Sequence, residues 1–408
     1  VTLIRLSPEH LQSQPELPFD LYDEHHQLLV AAKQPLDHQV VQARLHARLG
    51  FYAESQAVEE WRRRLATATD ELSQRDMPPP KIVRARPISV PVQSFTKPGD
   101  EWENLTHALE AVLRDASANK PWLEPLNYVM ARARGQATLK PDEALFHFIY
   151  EGQYYTDEYS SHQALRCMLI AGEVARHLEW DDALLDLLDR SALTMNVAMR
   201  RLQNTLAQER SGPLDAATQA SIARHAADGA RILEESGVAD AEWIEAVRHH
   251  HDETLEQIPV AQRRPGQRVA VLLRRVDIYG AKLSRRADRA PATAMQAARE
   301  VCLGANGRLD RMGAALLKAM GLYPPGSFVK LENREIALVL ARGIRQANHP
   351  KVAVVINAKG MPLPDPRPRD TAQPGYAVRS AISPAKMLMK LPRDRVQALH
   401  ETLRSMQP

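Results

Sequence analysis

Between Trp102 and about Met320 the apolar positions fall at three- and four-residue intervals, the repeat of a helix with one buried face. The stretches Leu105-His107-Ala108-Leu109-Val112-Leu113 and Leu165-Met168-Leu169-Ala171-Val174-Ala175 are two examples. Gly212-Pro213-Leu214-Asp215 interrupts the pattern, with Asp215 placed to cap a new helix whose body runs from Ala217 to Leu233. After Met320 the period changes. Gly326 to Leu331 and Glu335 to Leu340 flank Glu332-Asn333-Arg334 as strand, turn and strand, and Lys351 to Asn357 supplies a third strand. Pro362 to Pro374 reads as a proline-rich loop, and the last thirty residues as an amphipathic docking helix or tail.

The N-terminal part is mixed. Phe19 to Asp23 and Leu28 to Ala32 enclose polar Glu24-His25-His26-Gln27, which predicts a hairpin with His25 and His26 solvated. Helices are expected over Val40 to Gly50 and Glu54 to Arg75. Met77 to Gly99 is punctuated by prolines and reads as an extended linker, with Ile88, Val90 and Val92 as a possible edge strand. The expected fold is mainly α, a helical bundle between a small mixed domain and a small β subdomain. Its divisions are residues 1–76, a linker at 77–100, the bundle at 101–325, the β subdomain at 326–361 and a tail at 362–408.

Composition narrows the function classes. Of 408 residues, 44% are hydrophobic and 25% charged, as in ordinary globular proteins. With 53 basic and 50 acidic side chains the formal charge is +3, which argues against a binder of nucleic-acid polymers. Cys167 and Cys302 are the only cysteines, which excludes a disulfide framework or a cysteine-rich zinc module and fits a reducing compartment. Val1 to Leu6 has no leader pattern, and no apolar run approaches the roughly 18 residues of a membrane span. A cytoplasmic protein that does not enter a membrane is expected.

The chemistry centres on Val247-Arg248-His249-His250-His251-Asp252-Glu253. Imidazoles beside carboxylates are ligands for divalent transition metals. Histidines at a helix C-terminus also suit the helix dipole without any metal. Four-residue spacing would put Glu158 and His162 on one helix face, where they could serve one cluster. His225 lies on another apolar helix. Asp277 follows a strongly apolar run, where an unpartnered carboxylate is costly, so a metal or arginine partner is expected.

The order of these residues resembles the HD-GYP family, bacterial helical phosphodiesterases that hydrolyse cyclic di-GMP at a two- or three-metal site. The resemblance covers about residues 145 to 357. Glu158 and His162 fall at the family's Glu-x-x-x-His ligands, and His225, with Gly229, at its His-Pro-x-x-Gly segment. His250-His251 match its paired histidines, with His249-His250 as the other frame. Asp277-Ile278-Tyr279 is similar to Asp-Val-Tyr-Asp-Ala-Leu, with Arg286 as a candidate substrate contact. Tyr323 to Val329 resembles the entry to the closing β subdomain, and residues 19 to 52 the preceding regulatory region. The resemblance implies a metal set of Glu158, His162, His225, His250, His251 and Asp277.

The departures carry equal weight. Where the family has Ala-Leu-Leu-His-Asp-Ile-Gly-Lys, this chain has Ala192-Leu193-Thr194-Met195-Asn196-Val197-Ala198-Met199. Met195 and Asn196 stand where the His-Asp pair belongs, so the bridging carboxylate becomes a neutral amide and the histidine a soft thioether. In place of Asp-Gly-x-Gly-Tyr-Pro the chain continues Asp252-Glu253-Thr254-Leu255-Glu256-Gln257-Ile258-Pro259. Arg263-Arg264 and Arg274-Arg275 can contact phosphate or be solvated. The expectation is a signalling module with impaired catalysis. It would sense cyclic di-GMP or act on a protein partner, with fewer divalent ions (iron, manganese or zinc) than an active domain, or none. An active phosphodiesterase and a metal-free scaffold are the other two readings.

Overall fold

The structure, a computed structural model, describes residues 3–5, 19–22, 28–30, 52–54, 101–209, 212–304, 306–343, 346–387 and 390–405. The chain divides into two units, Val1–Gln93 and Ser94–Pro408. In the first, strands β1 (Leu3–Arg5), β2 (Leu21–Tyr22), β3 (Leu28–Val30) and β4 (Tyr52–Glu54) form an antiparallel sheet in the order β1-β4-β2-β3. β2 and β3 pair on either side of the polar stretch at 24–27, as the two apolar runs around it predict. The helices expected over Val40–Gly50 and Glu54–Arg75 lie outside the described residues, except for Glu54, which ends β4. His25, His26 and the linker positions Ile88, Val90 and Val92 also lie outside them.

The second unit is built on α4 (Tyr159–His177) and α9 (Pro265–Leu283). Leu165, Ile170, Ala171 and Val174 are fully buried on α4, and so are Val269, Leu272, Leu273 and Val276 on α9. A helix apolar on most sides has to sit inside a bundle. Each fully buried leucine or isoleucine here contributes about 1.5–3 kcal/mol of transfer free energy. Around the pair lie α1 (Glu101–Arg114), α2 (Leu123–Leu139), α3 (Pro141–Glu151), α5 (Asp182–Thr194), α6 (Arg200–Glu209), α7 (Ala216–Glu235) and α8 (Ala241–His249). α10 (Ala294–Val301) and α11 (Arg311–Met320) complete the layer.

Local chemistry sets the helix starts. Asp181 accepts from Leu184 N at 2.8 Å, Asp215 from Thr218 N at 2.6 Å and Asp310 from Gly313 N at 2.8 Å. Each satisfies an amide that the helix itself cannot. Thr293 and Gln296 form a reciprocal capping box at α10.

Beyond α11 the chain forms a five-stranded antiparallel sheet. Its strands are β5 (Phe328–Leu331), β6 (Ile336–Ala341), β7 (Lys351–Ile356), β8 (Pro362–Asp370) and β9 (Val378–Ile382). Their order, β8-β7-β6-β5-β9, brings the last strand back beside the first. The sheet therefore runs on to Ile382, and Pro362–Asp370 is a strand and not the loop its prolines predict. Proline is tolerated there because β8 is an edge, where an N–H facing away from the neighbour is not needed. Pro364, Pro366 and Pro368 alternate with Asp365, Arg367 and Arg369 along it.

The tail ends in α12 (Arg393–Ser405), which docks. Val396, Leu399 and Leu403 face Phe146 and Tyr150 of α3 and one side of the sheet. His400 packs edge-on against Phe146, with ring centroids 4.8 Å apart.

Candidate metal centre

His225 projects from the middle of α7, while His250 and His251 follow the last turn of α8, which packs against α7. The ligating atoms of these three histidines all lie within 4.8 Å of one another. His225 Nδ1 donates to Ile222 O at 2.5 Å, and His250 Nδ1 donates to Val247 O at 2.7 Å. A carbonyl oxygen only accepts, so both Nδ1 atoms carry hydrogen, and a ring that is neutral in this tautomer offers Nε2 as a lone pair. Those two Nε2 atoms are 3.1 Å apart.

Two lone pairs at that separation repel unless a cation lies between them. A metal–nitrogen bond is about 2.0–2.1 Å, which sets two nitrogens on one tetrahedral ion about 3.3 Å apart. Carbonyl partners on the far ring nitrogens are also the usual support of ligating histidines. The donor set thus fits a divalent ion. His250 is fully buried. Burial first, then neighbouring His251 and His225, hold its imidazole well below the usual range, in the neutral ligating form. His251, the most exposed of the three, is also shifted down, by burial and by His225 and Arg274, against the opposing pull of Asp277. His249 turns away to Asp252 at 3.4 Å, so the pair facing His225 is His250-His251.

Among the described residues no arginine pairs directly with Asp277 on α9; Arg166 reaches it through Gln163. The Oδ1 of Asp277 accepts from Gln163 Nε2 at 2.9 Å and, at the outer limit of a hydrogen bond, from Asn196 Nδ2 at 3.5 Å. Cys167 lies beside it, Sγ to Oδ1 at 3.9 Å, and burial and then Asp277 push the Cys167 thiol well up. Asn196 is 5% exposed just after α5 and turns its amide nitrogen, a donor, toward the carboxylate. Met195 is fully buried in the hydrophobic core, where its thioether packs among apolar side chains.

Glu158 and His162 do not share a helix face. Glu158 precedes α4 in the left-handed region, φ 47°, and its carboxylate meets His107 Nδ1 at 2.5 Å. His162 lies against Phe148, ring centroids 4.7 Å apart, and its Nδ1 is 3.3 Å from Arg166 Nη1. Burial, Arg166 and His147 hold it well below the usual histidine range. Its Nε2 is buried, with no hydrogen-bond partner among the described residues. Among the described residues neither side chain belongs to the group formed by His225, His250 and His251.

The remaining candidates are engaged elsewhere. Arg286 lies over the Tyr159 ring at 4.7 Å, its Nε donating to the phenol oxygen at 3.0 Å. Arg275 is buried between Asp310 and Glu256, while Arg263 donates to the carbonyls of Ile258 and Glu256. Arg264 pairs with Glu245, and Arg274 with Glu253. Arg263, Arg274 and Arg275 thus anchor the segment from Glu253 to Ile258. Sequence reasoning missed Gln163 and Arg166. Both are polar positions inside the otherwise apolar α4, and that contrast was the available signal.

No family model matches the chain. A cyclic di-GMP phosphodiesterase of Pseudomonas aeruginosa is 28% identical over 218 residues, covering 51% of this chain and 51% of the relative. The chain thus spans about half the length of that curated relative. An HDG"Y"P protein from Bdellovibrio bacteriovorus is similar in structure at a TM-score of 0.43 and 14% identity, over 78% of this chain and 99% of that one. Over about half its length the chain is thus similar in sequence to a phosphodiesterase named for cyclic di-GMP. Among the described residues no helix is long and apolar enough to cross a membrane.

Proposed function

We propose that this domain is a cyclic di-GMP-related sensor or interaction module in which phosphodiester hydrolysis is impaired. The observation that carries the reading is Asn196. It presents an amide N–H to Asp277 at the position where a bridging carboxylate would be needed. Two-metal hydrolysis uses one ion to activate water and both to clamp the attacking and leaving oxygens. A donor amide does not hold two cations together. The core-facing Met195 supplies no replacement.

The ligand assignment comes from the curated relative, whose name gives cyclic di-GMP as its substrate. His225, His250 and His251, with Asp277 alongside, are the residues that would hold a divalent ion. Such an ion supplies Lewis acidity and a bound water of lowered pKa. Calorimetry with cyclic di-GMP, paired with a turnover assay on protein reconstituted anaerobically with iron(II) or manganese(II), tests the reading. Binding without conversion to the linear dinucleotide is expected; turnover overturns it.

The second reading, an active phosphodiesterase, is favoured by the facing lone pairs of His225 and His250, which are arranged for an ion. The turnover assay decides between the two. Elemental analysis separates both from a metal-free scaffold.

A further inference from the structure

Arg166 is 1% exposed, and among the described residues no carboxylate lies within ion-pairing distance of it. Its Nη1 donates to Phe148 O at 3.1 Å, and its Nη2 donates to the side-chain oxygen of Gln163. Room for the guanidinium comes from two glycines. A Cβ at Gly152 would lie 2.5 Å from Nη1, and one at Gly280 3.3 Å from Nε. Gln163 passes the charge on, since its amide nitrogen donates to Asp277. Arg166, Gln163 and Asp277 therefore form a cation and an anion joined through one amide.

The consequence for His162 follows from donor and acceptor counting. A guanidinium has only N–H donors, so the Nδ1 of His162 at 3.3 Å must accept. A neutral imidazole with an accepting Nδ1 carries its hydrogen on Nε2. The other tautomer would set N–H against N–H. His162 thus turns a buried N–H, not a lone pair, to its surroundings, and among the described residues that atom has no partner. His225 and His250 have the opposite tautomer, fixed by backbone carbonyls.

We infer that Arg166 is a resident cation that removes His162 from the metal-ligand set, leaving a single-ion centre on His225, His250 and His251. The inference rests on the metal-binding part of the proposed function. It holds whether or not cyclic di-GMP binds. Two divalent ions would bring four positive charges to three neutral imidazoles and one carboxylate, and that carboxylate is already shared with Arg166. One ion beside Asp277 is balanced far better.

The test measures bound zinc(II) or manganese(II) per chain by elemental analysis after desalting, on the full chain and two variants, with circular dichroism confirming the fold. One ion per chain is expected, retained in His162→Ala and reduced at least about tenfold in His250→Ala. Two ions, no ion, or loss of the ion in His162→Ala would each overturn the inference. Long-range proton–nitrogen correlation on the metal-free, histidine-labelled wild type reads the tautomer without any variant. Hydrogen on Nε2 of His162 is expected, and hydrogen on Nδ1 overturns it. Nucleotide turnover enters neither measurement, so failure here is distinguishable from failure of the sensor reading.

Discussion

Asn196 Nδ2 lies 3.5 Å from Asp277 Oδ1, so the two side chains share one negative charge where a pair of carboxylates would carry two. Asn196→Asp restores the second charge. Without metal, two facing carboxylates are expected to destabilise the domain by about 1–3 kcal/mol, because an attractive contact becomes repulsive in a buried setting. Added manganese(II) or zinc(II) should recover that loss. Thermal unfolding of Asn196→Asp with and without metal reads both parts, and a variant as stable as wild type without metal contradicts the account.

The two glycines Gly152 and Gly135 should respond to alanine with opposite signs. At Gly152 a Cβ would meet Arg166 Nη1 at 2.5 Å and Phe148 O at 2.9 Å, so Gly152→Ala should destabilise by about 1–3 kcal/mol through overpacking. At Gly135, an exposed position inside α2, nothing lies within 4 Å of an added Cβ. Gly135→Ala should stabilise by about 0.5–1 kcal/mol through helix propensity. Urea titration of both variants measures the contrast.

Arg275 is 4% exposed and is clamped by Asp310 at 2.7 Å through both terminal nitrogens and by Glu256 at 3.2 Å. Asp310 also caps α11. Arg275→Met leaves Asp310 without its ion-pair partner and Glu256 with only the longer contact to Arg274 at 3.5 Å, and a loss of about 3–5 kcal/mol is expected. Arg275→Lys should recover only part of it, since an ammonium does not reproduce the fork geometry. Denaturant midpoints order the three proteins.

Acid should loosen α12 through His400. This side chain is 7% exposed against Phe146, and burial lowers its pKa to about 4, with Glu143 opposing and Arg404 and Lys140 adding to the shift. A histidine depressed in the folded state takes up its proton more readily when unfolded. Its stabilisation is complete above the unfolded value of 6.5 and is lost as the pH falls toward 4. The loss is about 1.4 kcal/mol per pH unit at most. His400→Leu should remove that portion of the pH dependence between 6.5 and 4, as seen by thermal unfolding.

The bundle was legible because α4 and α9 repeat their apolar residues at helical spacing over five turns, and burial is the direct result of that spacing. The return strand β9 was not, since Val378-Arg379-Ser380-Ala381-Ile382 is short and half polar, and its pairing with β5 depends on distant chain. In the candidate centre, the positions of His225, His250 and His251 could be singled out along the chain, but tautomer state could not. Whether His225 or His162 offers a lone pair is decided by Ile222 O and by Arg166 Nη1, contacts that exist only once α4 and α7 have formed. Glu158 shows the same limit: four-residue spacing implies a shared face only if both residues are helical, and Glu158 is not.

The alternating prolines of β8 bear on how copies of this molecule can associate. Pro364, Pro366 and Pro368 have no amide hydrogen to offer an incoming chain, so that border of the sheet lacks the donors a growing ladder requires. Strand exchange or fibre growth through this sheet would have to begin at β9, and replacing those prolines would open a second route to aggregation.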